Sequence, residues 1–228
     1  MPTSMPIDFS QTSLAPATQY HNCYAKVIDH AFTAQECASL LELATSTDDW
    51  QPAGLGRDGA IHTSFRNSER VLKIDEDASR MIYERLKPFV EDIQEIKPAS
   101  KWAAITVRPG RKQGPTWKMV RVNPRLSFLR YGPGHYFKPH CDGLLELEAN
   151  GKIQKSFVTL HIYLNEGDGL EGGATRFWTP DGQHFLDVEP RLGSVLIFQQ
   201  RMLAHSGEEV ICGVKYTMRS DFMFEEVA

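Results

Sequence analysis

The spacing of apolar residues changes character near residue 126. Ahead of that point it is helical. Thr33-Ala34-Gln35-Glu36 is a capping-box sequence, in which hydroxyl and carboxylate each satisfy a free amide of a first turn, and Leu40, Leu41 and Leu43 follow on the same helix. A second helix is predicted from about Asp75, with Ala78, Met81, Ile82, Leu86 and Phe89 on one face and Pro88 disturbing its later turns. Beyond 126 the period becomes two. Short strands are predicted at 126–131, 156–165, 174–178, 185–188, 194–198 and 214–224, with an earlier one at 24–28, separated by Gly, Pro, Asn and Asp turns. Gly132-Pro133-Gly134 reads as a hairpin turn and Gly172-Gly173 as a turn of positive φ.

Helices followed by many short strands predict an α+β chain with a mainly β core. The expected architecture is a double-stranded β-helix, a jelly-roll or cupin-type barrel, with the N-terminal helices packed on one sheet. Residues 1–20 are polar and rich in Pro, Ser and Thr, so they are expected as a flexible arm. Residues 21–228 are expected as one domain with its β-helix core at about 120–225. In the 157–164 segment, Val158, Leu160, Ile162 and Leu164 form an aliphatic face suited to packing under helices. Phe157, Thr159, His161 and Tyr163 form the other face, which is too polar for a sealed core and suits the wall of a pocket.

Composition narrows the function classes. A net charge of −4 over 228 residues argues against a general nucleic-acid binder. No apolar run is long enough to span a membrane, and the N-terminus lacks the basic-then-apolar pattern of a secretory signal. The four cysteines contain no C-x-x-C pair and are expected reduced. A cytoplasmic location follows as the simplest expectation.

The candidate chemistry lies in His140-Cys141-Asp142 and the distant His205. Residues i and i+2 of a strand point the same way, so His140 and Asp142 can reach one ion while Cys141 points to the opposite face. Two histidines and one carboxylate are the ligand set of the facial triad that holds Fe(II) and leaves positions open for oxygen chemistry. A His-x-Asp tripeptide is a weak signal by itself, and its flanks strengthen it. Phe128-Leu129-Arg130-Tyr131-Gly132-Pro133-Gly134 leads into Phe137-Lys138-Pro139-His140. Ile162-Tyr163-Leu164-Asn165, Gly172-Gly173-Ala174-Thr175-Arg176-Phe177, Pro190-Arg191-Leu192-Gly193-Ser194 and Gly213-Val214-Lys215-Tyr216 follow.

In the order and spacing of these segments, roughly residues 120–225, the chain resembles the Fe(II)/2-oxoglutarate-dependent dioxygenases, in particular the prolyl 4-hydroxylase-like branch. The resemblance implies an enzyme that uses Fe(II), 2-oxoglutarate and O2, oxidises a C–H bond and converts 2-oxoglutarate to succinate. It implies His140, Asp142 and His205 as catalytic metal ligands. Lys215 then stands where this branch places the basic anchor for the far carboxylate of 2-oxoglutarate, with Arg219, of the same strand parity, as its rival. Tyr163 and Tyr131 match pocket tyrosines of the family, Tyr163 as a partner of that same carboxylate.

Substrate signals are sparse. Seven basic residues and no acidic one lie between Lys101 and Arg125. They are either a mobile basic lid that recruits an anion, with Arg121 among its charges and Trp117 as a cover, or a solvated loop. Arg66-Asn67 resembles a segment bordering the substrate side, and His161 shares the pocket face with Tyr163. The expected partner is a small-molecule substrate, with an amino acid or a peptide among the candidates, and no nucleic acid and no membrane. A protein prolyl hydroxylase and a cupin-like metal-binding or sensing protein without 2-oxoglutarate turnover are the alternatives.

Overall fold

A computed structural model describes residues 1–46, 49–55, 59–107, 114–149, 151–165 and 169–227. Two antiparallel sheets face each other as a double-stranded β-helix, as expected. The larger runs Thr3–Pro6, Ala25–Asp29, Val195–Gln199, Lys152–Tyr163, Lys215–Glu226, Arg125–Tyr131, Glu69–Ile74 and Gln51–Pro52. The smaller runs Phe185–Val188, Thr175–Trp178, His205–Gly207, Tyr136–His140 and Arg66–Asn67.

Both helices form where their caps predict. Thr33 and Glu36 complete a reciprocal capping box on the helix Ala34–Thr45, and the Asp75 carboxylate caps Glu76–Leu86 by accepting from the Ala78 amide. Pro88 stands in a 3-10 turn that ends the second helix. Cys37, Leu40, Ala44, Ile82 and Leu86 pack with Val158, Leu160, Ile162 and Met218 in one buried cluster. The expected aliphatic face is therefore the face under the helices. Met81, expected on the buried side, is instead 39% exposed, because Ile82 and Leu86 already fill the contact.

Three other expectations change. Residues 1–20 are packed rather than loose: Thr3–Pro6 pairs with Ala25–Asp29, and Phe9, Leu14 and Tyr20 are buried. The reason is a handful of large side chains in a polar segment; Phe9 meets Phe177 edge-on at 5.7 Å and joins the buried cluster of Tyr163, Leu196 and Phe198. Phe157 leaves the pocket face, since a β-bulge between Ser156 and Val158 breaks the alternation and turns it onto Trp117 and Phe224. The basic stretch is no lid over its described part. Trp117–Val122 is a strand paired with the end of Lys215–Glu226, while Arg108, Arg111 and Lys112 lie outside the described residues.

Candidate active site

Between the sheets lies a cavity of about 560 Å³ lined from both sides. The smaller sheet supplies His140 and His205, which face each other across adjacent strands as register partners. Asp142 follows two residues after His140, and one ligand atom from each of the three lies within 4.8 Å of the others. His140 Nε2 stands 3.9 Å from Asp142 Oδ1, and His205 Nε2 stands 3.9 Å from Asp142 Oδ2.

The surroundings fix these groups for metal binding. His140 Nδ1 lies 2.8 Å from the Lys138 carbonyl and His205 Nδ1 lies 3.1 Å from the Leu203 carbonyl. A carbonyl only accepts, so each Nδ1 carries the proton and each Nε2 lone pair is left for a metal. Burial and the neighbouring His205 push His140 down to about 3, so it stays neutral at any ordinary pH. Burial works to raise Asp142, but the charge of Arg219 and the hydrogen bond from Thr159 hold it well below the usual carboxylate range. Asp142 Oδ2 accepts from Thr159 at 2.6 Å and pairs with Arg219 at 3.2 Å, which leaves Oδ1 as the oxygen without a hydrogen bond. Phe137 stacks on the His140 ring at a centroid distance of 3.6 Å. The donor set, its tautomers and its spacing fit a divalent iron.

The larger sheet supplies the other charges. Along the paired strands Lys152–Tyr163 and Lys215–Glu226, Thr159 faces Asp221, His161 faces Arg219 and Tyr163 faces Thr217. Lys215 is 1% exposed. Its ammonium donates to the Gly173 carbonyl at 2.6 Å and sits 4.5 Å from the Tyr131 ring centroid, and no carboxylate pairs with it among the described residues. Burial lowers it to about 8, still cationic at neutral pH. A buried ammonium with no carboxylate in contact among the described residues, opening on the cavity that holds the triad, fits the distal carboxylate of 2-oxoglutarate. Gly173 itself permits this approach: its φ is +75°, and a Cβ there would come within 3.3 Å of Lys215 Cδ. Arg219 is already engaged, at 3.2 Å from Asp142 and 3.1 Å from Asp221.

The remaining candidates divide. Tyr131, Arg66 and His161 line the cavity, and His161 Nε2 is buried without a partner. Tyr163 is buried behind His161, stacked at 5.2 Å, and its hydroxyl donates to Thr175, a lining residue. Asn67 points away and donates to the Gly134 carbonyl at 3.2 Å. Trp117 and Arg121 do not belong to the cavity wall. Trp117 is core, and Arg121 bonds Gln154 at 2.8 Å and lies 3.5 Å from Glu76. Their strand carries them to the far end of the larger sheet. The lining also includes Phe137 and Arg70, which the sequence did not mark as site groups, and Arg125, which it marked only as part of the basic stretch. Arg70 lies on a short strand, Glu69–Ile74, that has no clear alternation to reveal it.

Fold and triad together define a ferrous-iron oxygenase. Residues 126–220 match the model of the 2OG-Fe(II) oxygenase superfamily. Its enzymes use Fe(II), 2-oxoglutarate and O2. The fold is similar to a Pseudomonas putida prolyl-4-hydroxylase at 16% identity, with 92% of this chain and 98% of that one covered and a TM-score of 0.59. It is also similar to a prolyl hydroxylase from Trichoplax adhaerens, solved with a hypoxia inducible factor peptide fragment, at 14% identity, 92% and 88% coverage and a TM-score of 0.57. The viral collagen prolyl hydroxylase of Paramecium Bursaria Chlorella virus-1 aligns at 20% identity over 89% of this chain and 96% of that one, with a TM-score of 0.52. No curated protein sequence matches the chain. No described helix is long and apolar enough to cross a membrane.

Proposed function

We propose that this dioxygenase hydroxylates a C–H bond of a small molecule, with 2-oxoglutarate converted to succinate. In this reading His140, Asp142 and His205 hold Fe(II), and Lys215 anchors the distal carboxylate of 2-oxoglutarate with the Tyr131 ring beside it. The observation that carries it is the pairing, in one cavity, of a three-ligand cluster with a buried cation that has no carboxylate partner among the described residues. When bound, the iron and its co-substrate supply the oxidising chemistry, and the protein supplies position and protection.

Each residue then has a defined task. The backbone carbonyls of Lys138 and Leu203 hold the imidazole tautomers. Thr159 and Arg219 occupy Asp142 Oδ2, which directs Oδ1 to the metal. Arg219, spent on Asp142 and Asp221, is not the co-substrate anchor. His161, held neutral by burial and by the nearby charge of Lys215, brings an uncharged ring nitrogen to the cavity beside the anchor. A cavity of about 560 Å³ suits a small substrate together with the co-substrate.

The runner-up is peptide prolyl hydroxylation, favoured by the fold shared with prolyl hydroxylases. Anaerobic titration of the Fe(II)-loaded protein with 2-oxoglutarate tests the central reading. A saturable visible charge-transfer band that disappears in Asp142→Ala is expected. A folded, iron-replete protein without the band points to a metal-binding protein that does not use 2-oxoglutarate. Screening free amino acids and other small acids beside proline-containing peptides for stimulated succinate formation separates the two substrate classes.

A further inference from the structure

Three arginines at the same cavity have no task in the scheme above. Arg66, Arg70 and Arg125 all line it, and none of them forms an ion pair among the described residues. Arg66 is 9% exposed. It spends its Nε–H on Ser68 Oγ at 3.0 Å and lays its guanidinium over the Phe137 ring at 4.4 Å. Phe137 in turn stacks on His140, so Arg66, Phe137 and a metal ligand form one column. Arg70 is half-buried and makes a long 3.4 Å contact with the Gly54 carbonyl. Burial first, and then the charges of Arg66, Arg125 and Arg219, disfavour its protonated form, which puts the four guanidiniums in one neighbourhood. Arg125 stands at the exposed edge, and the cavity-wall acid whose charge it influences, Asp221, is already bound to Arg219 at 3.1 Å.

The charges sharpen the point. Iron(II) would be answered by Asp142 and the chelating carboxylate of 2-oxoglutarate, Lys215 by its distal carboxylate, and Arg219 by Asp221. Arg66, Arg70 and Arg125 keep their charge. Clustered cations with unused N–H donors in a partly dry site are costly unless an anion joins them, and guanidiniums bind oxyanions bidentately. Phe65, Leu129 and Leu144 give the same cavity an apolar wall.

We infer that the substrate is a small organic oxyanion, a carboxylate or phosphate on an apolar body, with its charged end held by Arg66, Arg70 and Arg125 and its apolar part directed at the metal. This deepens the oxygenase reading and rests on it. Arg66 and Arg70 are specificity residues of the same reaction.

The test uses protein loaded with Mn(II) and 2-oxoglutarate. It is titrated with phenylacetate, phenyl phosphate, neutral phenylacetamide and an acidic hexapeptide, reading Mn(II)-induced broadening of the probe ring protons. At least one of the two small acids binds about tenfold or more tightly than the amide, as charge-assisted bonds require, and the tighter one identifies carboxylate or phosphate. That advantage shrinks in Arg66→Gln and in Arg70→Gln. Arg125→Gln, at the exposed edge, supplies a variant whose folding is not at stake. Equal binding of acid and amide overturns the inference, as does broadening by the peptide alone or an acid preference that survives all three substitutions. The 2-oxoglutarate charge-transfer band of the iron-loaded wild type reports the underlying reading separately. Its absence removes the oxygenase scheme, while its presence with charge-blind probe binding removes only the oxyanion site.

Discussion

Replacing Lys215 by methionine should make the ligand-free protein more stable and at the same time cripple its use of 2-oxoglutarate. The side chain is 1% exposed, and burial lowers its pKa to about 8. Against an ordinary lysine at about 10.4, that depression corresponds to about 3 kcal/mol of native-state penalty at neutral pH. Methionine keeps the stem, removes the charge and loses one hydrogen bond to the Gly173 carbonyl, about 1 kcal/mol. The net expectation is a gain of about 2 kcal/mol, read from the urea midpoint at pH 7. The pH dependence has a definite sign. Between pH 8 and the unfolded lysine pKa, the folded state binds fewer protons than the unfolded one, so wild-type stability rises with pH through that window. The variant lacks this rise, and its advantage closes. In the charge-transfer titration, the lost charge-assisted contact of about 1.5–3 kcal/mol should weaken 2-oxoglutarate by roughly 10- to 100-fold. Iron binding should persist. A variant that is less stable at pH 7 and binds 2-oxoglutarate as wild type does would refute the reasoning on both counts.

Other substitutions probe separate parts. Thr159→Val removes the hydroxyl that donates to Asp142 at 2.6 Å, and metal affinity should fall about 10- to 100-fold in a competition titration with a chelator. Phe9→Ala should cost about 3–5 kcal/mol in urea unfolding, because Phe9 is fully buried against Phe177; a loss below about 0.5 kcal/mol would mean the N-terminal segment is dispensable. Gly193 has φ +73°, and a Cβ there would meet the Phe32 carbonyl oxygen at 1.9 Å. Gly193→Ala should therefore destabilise by more than about 2 kcal/mol, measured the same way.

Much of this arrangement was legible in the sequence, and the exceptions have physical causes. Caps are local, so Thr33, Glu36 and Asp75 announced both helices. The His-x-Asp spacing marked the pair, although the strand ends at His140, Asp142 follows just beyond it and Cys141 also lines the cavity; His205 meets them because two strands of the smaller sheet place it opposite His140. Phe157 was misplaced because a bulge is a defect in alternation that alternation cannot forecast. Trp117 and the first 20 residues were misplaced for a related reason. Their strands gain stability by docking on edges supplied by distant segments, and polar composition says little about where a few large side chains will bury. Arg70 escaped, and Arg125 was marked only as part of a basic stretch, because an arginine that makes no ion pair looks the same in sequence as one facing solvent.

The bulge at Phe157 also marks a boundary. On its C-terminal side, successive residues of one strand serve different masters: Val158, Leu160 and Ile162 belong to the helix-packed core, while Thr159 and His161 belong to the cavity. Mutational tolerance should therefore oscillate with residue parity along this strand. Even-numbered changes should register in folding yield, and odd-numbered ones in substrate choice. Such insulation lets selection rework the chemistry of a site without renegotiating the fold beneath it.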